Sequence, residues 1–339
     1  MARRAPTPRP RAYELYWYFA SERQRIFQLR IAGAPAPWTT DPILNEYKFC
    51  NVFRAADRVS QYMIRSVCYD DEGTPADQLF RIVVFRTLSK IETWRSIRSF
   101  LGRSPTLEDL ADGAFTAALE AARQANGRIY TGAFILCATD AYGQRIKHLN
   151  HVELFRHMFL VDRLDERILA ARSLGELVEL LHGYPLMGDF MSYQTAIDIN
   201  YSGLVDFSEN AFVSPGPGAL RGIRKCFADL GDYQPADVIH WMVDNQEAEL
   251  KRLGLPFDGL FGRPLHAIDA QGLFCETDKY CREAVPELGS ARKRIKARFR
   301  ATPEPLRLFF PPKWGLNALV PDEQVLGADT AGRWSSTCS

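Results

Sequence analysis

Residues 213–225 read VSPGPGALRGIRK: Val213-Ser214-Pro215-Gly216-Pro217-Gly218, then Ala219-Leu220-Arg221-Gly222-Ile223-Arg224-Lys225. This is a glycine-bearing bend that enters a basic helix. Gly216 and Gly218 let the backbone turn sharply and approach another group without Cβ interference. The free N–H groups and the dipole at the helix start attract an anion. Arg221, Arg224 and Lys225 fall in the first two turns, where they could reach a phosphate backbone on either side. A plain Pro/Gly turn ahead of an amphipathic helix accounts for the same residues, so both readings stand. The first predicts that the bend near Gly216 grips a nucleic-acid strand.

Outward from this bend the chain reads as helix after helix. On its N-terminal side, Tyr13–Ala32 places Leu15, Tyr16, Phe19, Ile26 and Leu29 roughly on one face. Gly33–Pro37 breaks it. Asp41-Pro42 has the signature of an N-cap followed by Pro at the first helical position. That helix is expected to run through Ile43, Leu44, Tyr47, Phe49 and Phe53. Helices follow over 57–67, 76–88, 106–124, 152–171, 174–181 and 188–201. Ile129–Thr139 suits a strand or a buried helix equally. Beyond the bend, helices are expected at about 219–230, 235–253 and 272–282. No βαβ alternation appears, so a doubly wound sheet is not expected. The fold class is mainly α. Residues 1–12 read as a disordered basic tail, 13–315 as the helical catalytic region, and 316–339 as a C-terminal tail. The central region is expected to form two helical lobes around a cleft or one body.

Charge and composition exclude several classes. There are 42 Lys and Arg against 41 Asp and Glu, a formal net charge of +1. A neutral chain that binds nucleic acid must segregate its charge locally. No apolar stretch reaches membrane-spanning length, and no apolar segment follows the Pro- and Arg-rich start, so neither a membrane span nor a secretory signal is expected. A cytoplasmic protein follows from that reading, nuclear if the source is eukaryotic. The seven cysteines include no CxxC, which disfavours a disulfide scaffold or a zinc ribbon. His148 and His151 lack an HExxH or cysteine context, and no metal is expected. Nor does any GxxxxGK[ST] loop exist, so ATP-dependent phosphorylation by that route is not expected, and no cofactor is assigned.

Three further segments carry charge in usable patterns. Lys48, Arg54, Arg58 and Arg65 could line a basic edge, though a solvated face explains each alone. Glu276 and Lys279 are i, i+3 and could pair. Residues 290–300 hold Arg292, Lys293, Arg294, Lys296, Arg298 and Arg300, a density read as facing nucleic acid.

Together these pieces resemble a known family. The run PWTTDPILNEYKFCNVFRAADRVSQYMIR (37–65) resembles the opening helices of helix-hairpin-helix DNA glycosylases, and SPGPGALRG stands where those enzymes carry their hairpin. With FRTLSKIETW, DFMSYQTAIDINYS, LFCETDKY and PPKW, the chain is similar over about residues 13–315 to the α-glutamyl/putrescinyl thymine pyrophosphorylases, the amino acid:DNA transferases. It also resembles the helical domain of 5-hydroxymethyluracil DNA kinases. The resemblance implies a phage-type step in thymine hypermodification: replacement of the pyrophosphate of 5-pyrophosphorylmethyl-uracil in DNA by an amine, after base flipping. The partners it implies are double-stranded DNA with a modified thymine, an amino acid or polyamine co-substrate, and a 5-hydroxymethyluracil DNA kinase. Under this reading Trp38, Tyr47 and Tyr193 are candidates to stack on the base. Arg86, Arg58 and Lys279 are candidates to clamp pyrophosphate. Asp198 or Glu276 would take the amine proton, with Asp198 favoured because it lies four residues from Gln194, beside Tyr193 and Tyr201. Two alternatives remain. A base-excising glycosylase would use an Asp beyond the hairpin, where Asp237 stands 19 residues after Gly218. A non-catalytic DNA-binding module would serve a separate kinase.

Overall fold

The structure is a computed structural model that describes residues 3–70, 72–132, 140–289, 295, 297–300 and 307–321. In chain order the helices are α1 (Pro10–Ile31), α2 (Pro42–Glu46), α3 (Arg58–Met63), α4 (Pro75–Leu88), α5 (Ile91–Leu101), α6 (Leu107–Asp112), α7 (Ala114–Asn126), α8 (Lys147–Arg156), α9 (Leu164–Leu169), α10 (Leu174–His182), α11 (Asp189–Tyr201), α12 (Pro217–Cys226), α13 (Pro235–Asp244), α14 (Gln246–Arg252) and α15 (Ala267–Ala284). Wider π-type turns extend α3 over Ile64–Cys68 and α8 over His157–Val161. The strands among the described residues are β1 (Thr7–Pro8) and β2 (Phe227–Asp229), paired antiparallel.

Two helices form the centre. Every residue of α11 from Met191 to Tyr201 is buried, as is every residue of α4 from Leu79 to Leu88. A helix buried on all sides must be walled in by others. Here α4 packs on α11, and α10 packs along α11's other flank. A second layer stacks α12 on α15 and α15 on α1, with Tyr16, Trp17 and Phe19 of α1 fully buried. One continuous apolar cluster runs from Tyr13 to Val320 through both layers.

The mainly helical expectation holds, and several boundaries move. The tail expected over 1–12 is ordered from Arg3. Thr7–Pro8 pairs with β2, Pro10 starts α1, and Ala12 is buried. Likewise Leu316 and Val320, placed in a C-terminal tail, are buried. The helix expected through Phe53 stops at Glu46. From there the chain is extended, Lys48 N–H donates to the Ala297 carbonyl, and Phe299 N–H donates to that of Glu46. Pairing with a segment some 250 residues away replaced the helix. Gly113 at φ 91° divides 106–124 into α6 and α7. Arg163 at φ 49° separates α9 from the helix expected over 152–171, and Asn245 divides α13 from α14. The sequence reading passed over α5, although Ile91, Trp94 and Ile97 are its buried stripe. Most of 129–139 and of the basic run 290–300 lies outside the described residues.

Candidate active site

A buried carboxylate sits where α4, α11 and the Arg54–Ala56 turn meet. Asp198 is fully buried on α11. Arg54 Nη2 donates to its Oδ1 at 2.6 Å, and Arg86 Nε of α4 donates to Oδ2. Arg54 also donates through Nε to Gln194 Oε1 at 2.9 Å, and its guanidinium lies 5.4 Å from the Tyr201 ring. The backbone N–H of Arg54 donates to Asp269 Oδ1 at 2.9 Å, which ties the turn to the first turn of α15. Burial and then Glu209 push the Asp269 carboxyl up to about 6. Glu209 is itself buried against Arg263 at 3.1 Å.

Helix α15 then gathers three of the segments singled out in the sequence. Gln194 Nε2 of α11 lies 3.5 Å from Gln271 Oε1. A Cβ at Gly218 would stand 2.8 Å from Cys275 Sγ, which places the glycine bend one turn along. Next to it, Glu276 Oε2 accepts from Cys50 N–H at 3.0 Å and from Lys279 Nζ at 3.1 Å, while Lys279 also donates to the Lys48 carbonyl. Gln271, Cys275, Glu276 and Lys279 thus form a polar stripe facing residues 48–54 and the bend. Glu276 and Asp57 push the Cys50 thiol well up, and burial raises Cys275 to about 12, so neither is an activated nucleophile.

The glycine bend has a packing reason. Gly216 is buried, and a Cβ there would come within 2.5 Å of the Phe190 ring. At Gly222 a Cβ would stand 2.0 Å from the Phe274 carbonyl oxygen, so α12 and α15 touch backbone to backbone. Close helix packing thus accounts for Gly216 and Gly222, while Pro217 between them stays exposed. Two of its cations also turn inward. Arg221 Nε lies 3.2 Å from Asp278 Oδ2 and Lys225 Nζ 3.0 Å from Oδ1, with Arg282 on the same carboxylate at 2.6 Å. Burial raises the Asp278 carboxyl, but Arg282 and Lys225 outweigh it and hold it low. Arg224 is exposed.

Residues 10–290 match the family described as 5-hmdU DNA kinase, helical domain. The chain belongs to that family. It is 29% identical over 307 residues to a 5-hmdU DNA kinase of Bacillus phage SP10, across 85% of this chain and 47% of that protein. It therefore spans about half the length of the curated relative it matches. No solved structure matches.

Within this family member the remaining candidates separate. Tyr193 is fully buried beside Phe212, so it is core and offers no face to a base. Asp198 and Arg86 are likewise interior: both carboxylate oxygens of Asp198 are occupied, which removes it as a free proton acceptor. Asp237 caps α13, accepting from Gln234 N–H and from Arg3, and so is committed at the surface. Lys48 and Arg58 are exposed, with Arg58 3.9 Å from Glu92. Trp38 and Tyr47 do line one cleft together with Arg23, Arg30, Phe49 and Phe299. The sequence reading missed Arg23, Arg30, Gln271 and Asp269; the i, i+7 spacing of the two arginines on α1 was the available signal. No helix among the described residues is long and apolar enough to cross a membrane, and no group of His, Cys, Asp and Glu there suits a metal ion.

Proposed function

We propose that the chain replaces the pyrophosphate of 5-pyrophosphorylmethyl-uracil in DNA with an amine. The observation that carries this reading is the meeting of Glu276 and Lys279 with residues 48–54 beside Arg54, in a family named for a 5-hmdU DNA kinase. The reacting carbon is exocyclic, so the nucleotide leaves the stack at a cost of a few kcal/mol. The amine nitrogen forms a bond to that carbon as its bond to the pyrophosphate oxygen breaks. Pyrophosphate departs with the electron pair, and the nitrogen gives up a proton. Glu276 is the acceptor in this scheme: it is partly exposed and sits at the junction of three segments. Lys279 and Arg54, whose buried Nη1 has no hydrogen-bond partner among the described residues, neutralise the leaving charge. Asp198 and Arg86 act one step back, as positioning residues that hold Arg54.

The test is incubation with 5-pyrophosphorylmethyl-uracil DNA and an amine pool, followed by nucleoside mass spectrometry. An aminated thymidine is expected, formed roughly 10²–10⁴-fold more slowly by Glu276→Gln. Release of free base would instead establish a glycosylase. Bound but unchanged DNA would establish the second reading, a DNA-binding helical module serving a separate kinase. That reading draws on one fact: the chain aligns with only 47% of the kinase from phage SP10.

A further inference from the structure

The cleft between α1 and residues 38–49 contains an unusual electrostatic arrangement. Arg23 is 8% exposed, yet it has no carboxylate within ion-pair distance among the described residues. Its Nη2 donates to the neutral Asn51 Oδ1 at 2.5 Å, and its buried Nη1 has no hydrogen-bond partner among the described residues. Two helical turns on, Arg30 lines the same cleft. It too has no acid within ion-pair distance among the described residues, and its guanidinium lies 5.2 Å from the Trp38 ring. Burial lowers the pKa of both, and the charge of Arg30 lowers that of Arg23 further, against the raising effect of Asp57 and Glu276. A buried cation with an open donor is costly unless something charged completes it. The cleft leaves about 30 Å³ to the centres of water-sized atoms, room for roughly two oxygens of an anion.

We propose that this cleft is an oxyanion subsite in which Arg23 Nη1 and Arg30 take the oxygens of a phosphoryl group, with Trp38 as one wall. The inference stands apart from the transfer reading, because it concerns binding alone. A phosphoryl group could arrive as free pyrophosphate or as the backbone of a DNA strand. Isothermal titration and thermal unfolding of the full chain with sodium pyrophosphate, against sodium chloride of matched ionic strength, test it. Pyrophosphate is expected to raise Tm by about 2–4 °C at saturating concentration. Arg30→Ala should weaken binding roughly 10-fold, since it removes one charge-assisted contact from a residue with no acid partner to lose. Arg23→Met, similar in length and apolar, should abolish the shift while keeping the fold. A short DNA strand that displaces pyrophosphate identifies the backbone as the occupant; a strand that binds alongside it identifies the free anion. A Tm rise no larger than that in chloride, or one unchanged in both variants, overturns the proposal. Because no turnover is measured, an inactive chain that still binds pyrophosphate leaves the subsite intact and removes only the transfer reading.

Discussion

At the scale of single residues, the decisive feature is how Asp198 is held. Its two oxygens are taken by two arginines from different parts of the chain, and it has no exposure. Removing one member of such a group leaves buried charge without compensation, which typically costs about 3–5 kcal/mol. Asp198→Asn is therefore expected to lose roughly 3 kcal/mol of stability, read from the urea midpoint at constant slope. A proton acceptor would behave otherwise: the Asn variant would keep its stability and lose only turnover. The same logic separates Asp278, ringed by Arg221, Lys225 and Arg282, from Glu276 two residues earlier, which is partly exposed and faces the opposite way round α15.

Between elements, the α12–α15 contact rests on glycine. With a Gly222 Cβ standing 2.0 Å from a backbone oxygen, Gly222→Ala must push the two helices apart. A loss of roughly 2–3 kcal/mol is expected, as for other overpacked interiors. Gly272, in the middle of α15, has no atom within 4 Å of its Cβ position. There Ala should add about 0.5–1 kcal/mol through helix propensity alone. Denaturant titration of both variants reads the contrast. Equal effects would mean that α12 and α15 do not pack as closely as described. This contact matters for the candidate site because α15 carries Gln271, Glu276 and Lys279, and any shift of α12 moves the bend that faces them.

For the whole molecule, pH dependence exposes the buried histidine of α8. His151 is 2% exposed, with Nδ1 2.6 Å from the Tyr130 hydroxyl. Burial, followed by the charges of Lys147 and His148, lowers its pKa to about 4. The folded state thus resists a proton that the unfolded chain accepts near 6.5. Its contribution is complete above about pH 6.5 and is lost as pH falls toward 4. The wild type should lose on the order of 3 kcal/mol more than His151→Phe across that window, measured by chemical denaturation at each pH. Parallel curves for the two proteins would show that His151 is protonated in the folded state.

The sequence by itself determined the helical class and most helix positions, because 3.6-residue periodicity and local caps are read within one stretch. The Asp41 cap and the buried stripe of α1 are cases where local chemistry sufficed. It also pointed to Glu276–Lys279 as a pair, since i, i+3 spacing is local. Only the tertiary structure decided what each charge faces. Arg221 and Lys225 looked free for phosphate until Asp278, some fifty residues on, drew them inward. The glycines at 216 and 218 read alone as a ligand cradle, whereas in the fold the Phe190 ring stands against Gly216 and the Cys275 side chain against Gly218. An ion pair or a helix contact is fixed by distance in space, and spacing along the chain carries no information about partners beyond one or two turns.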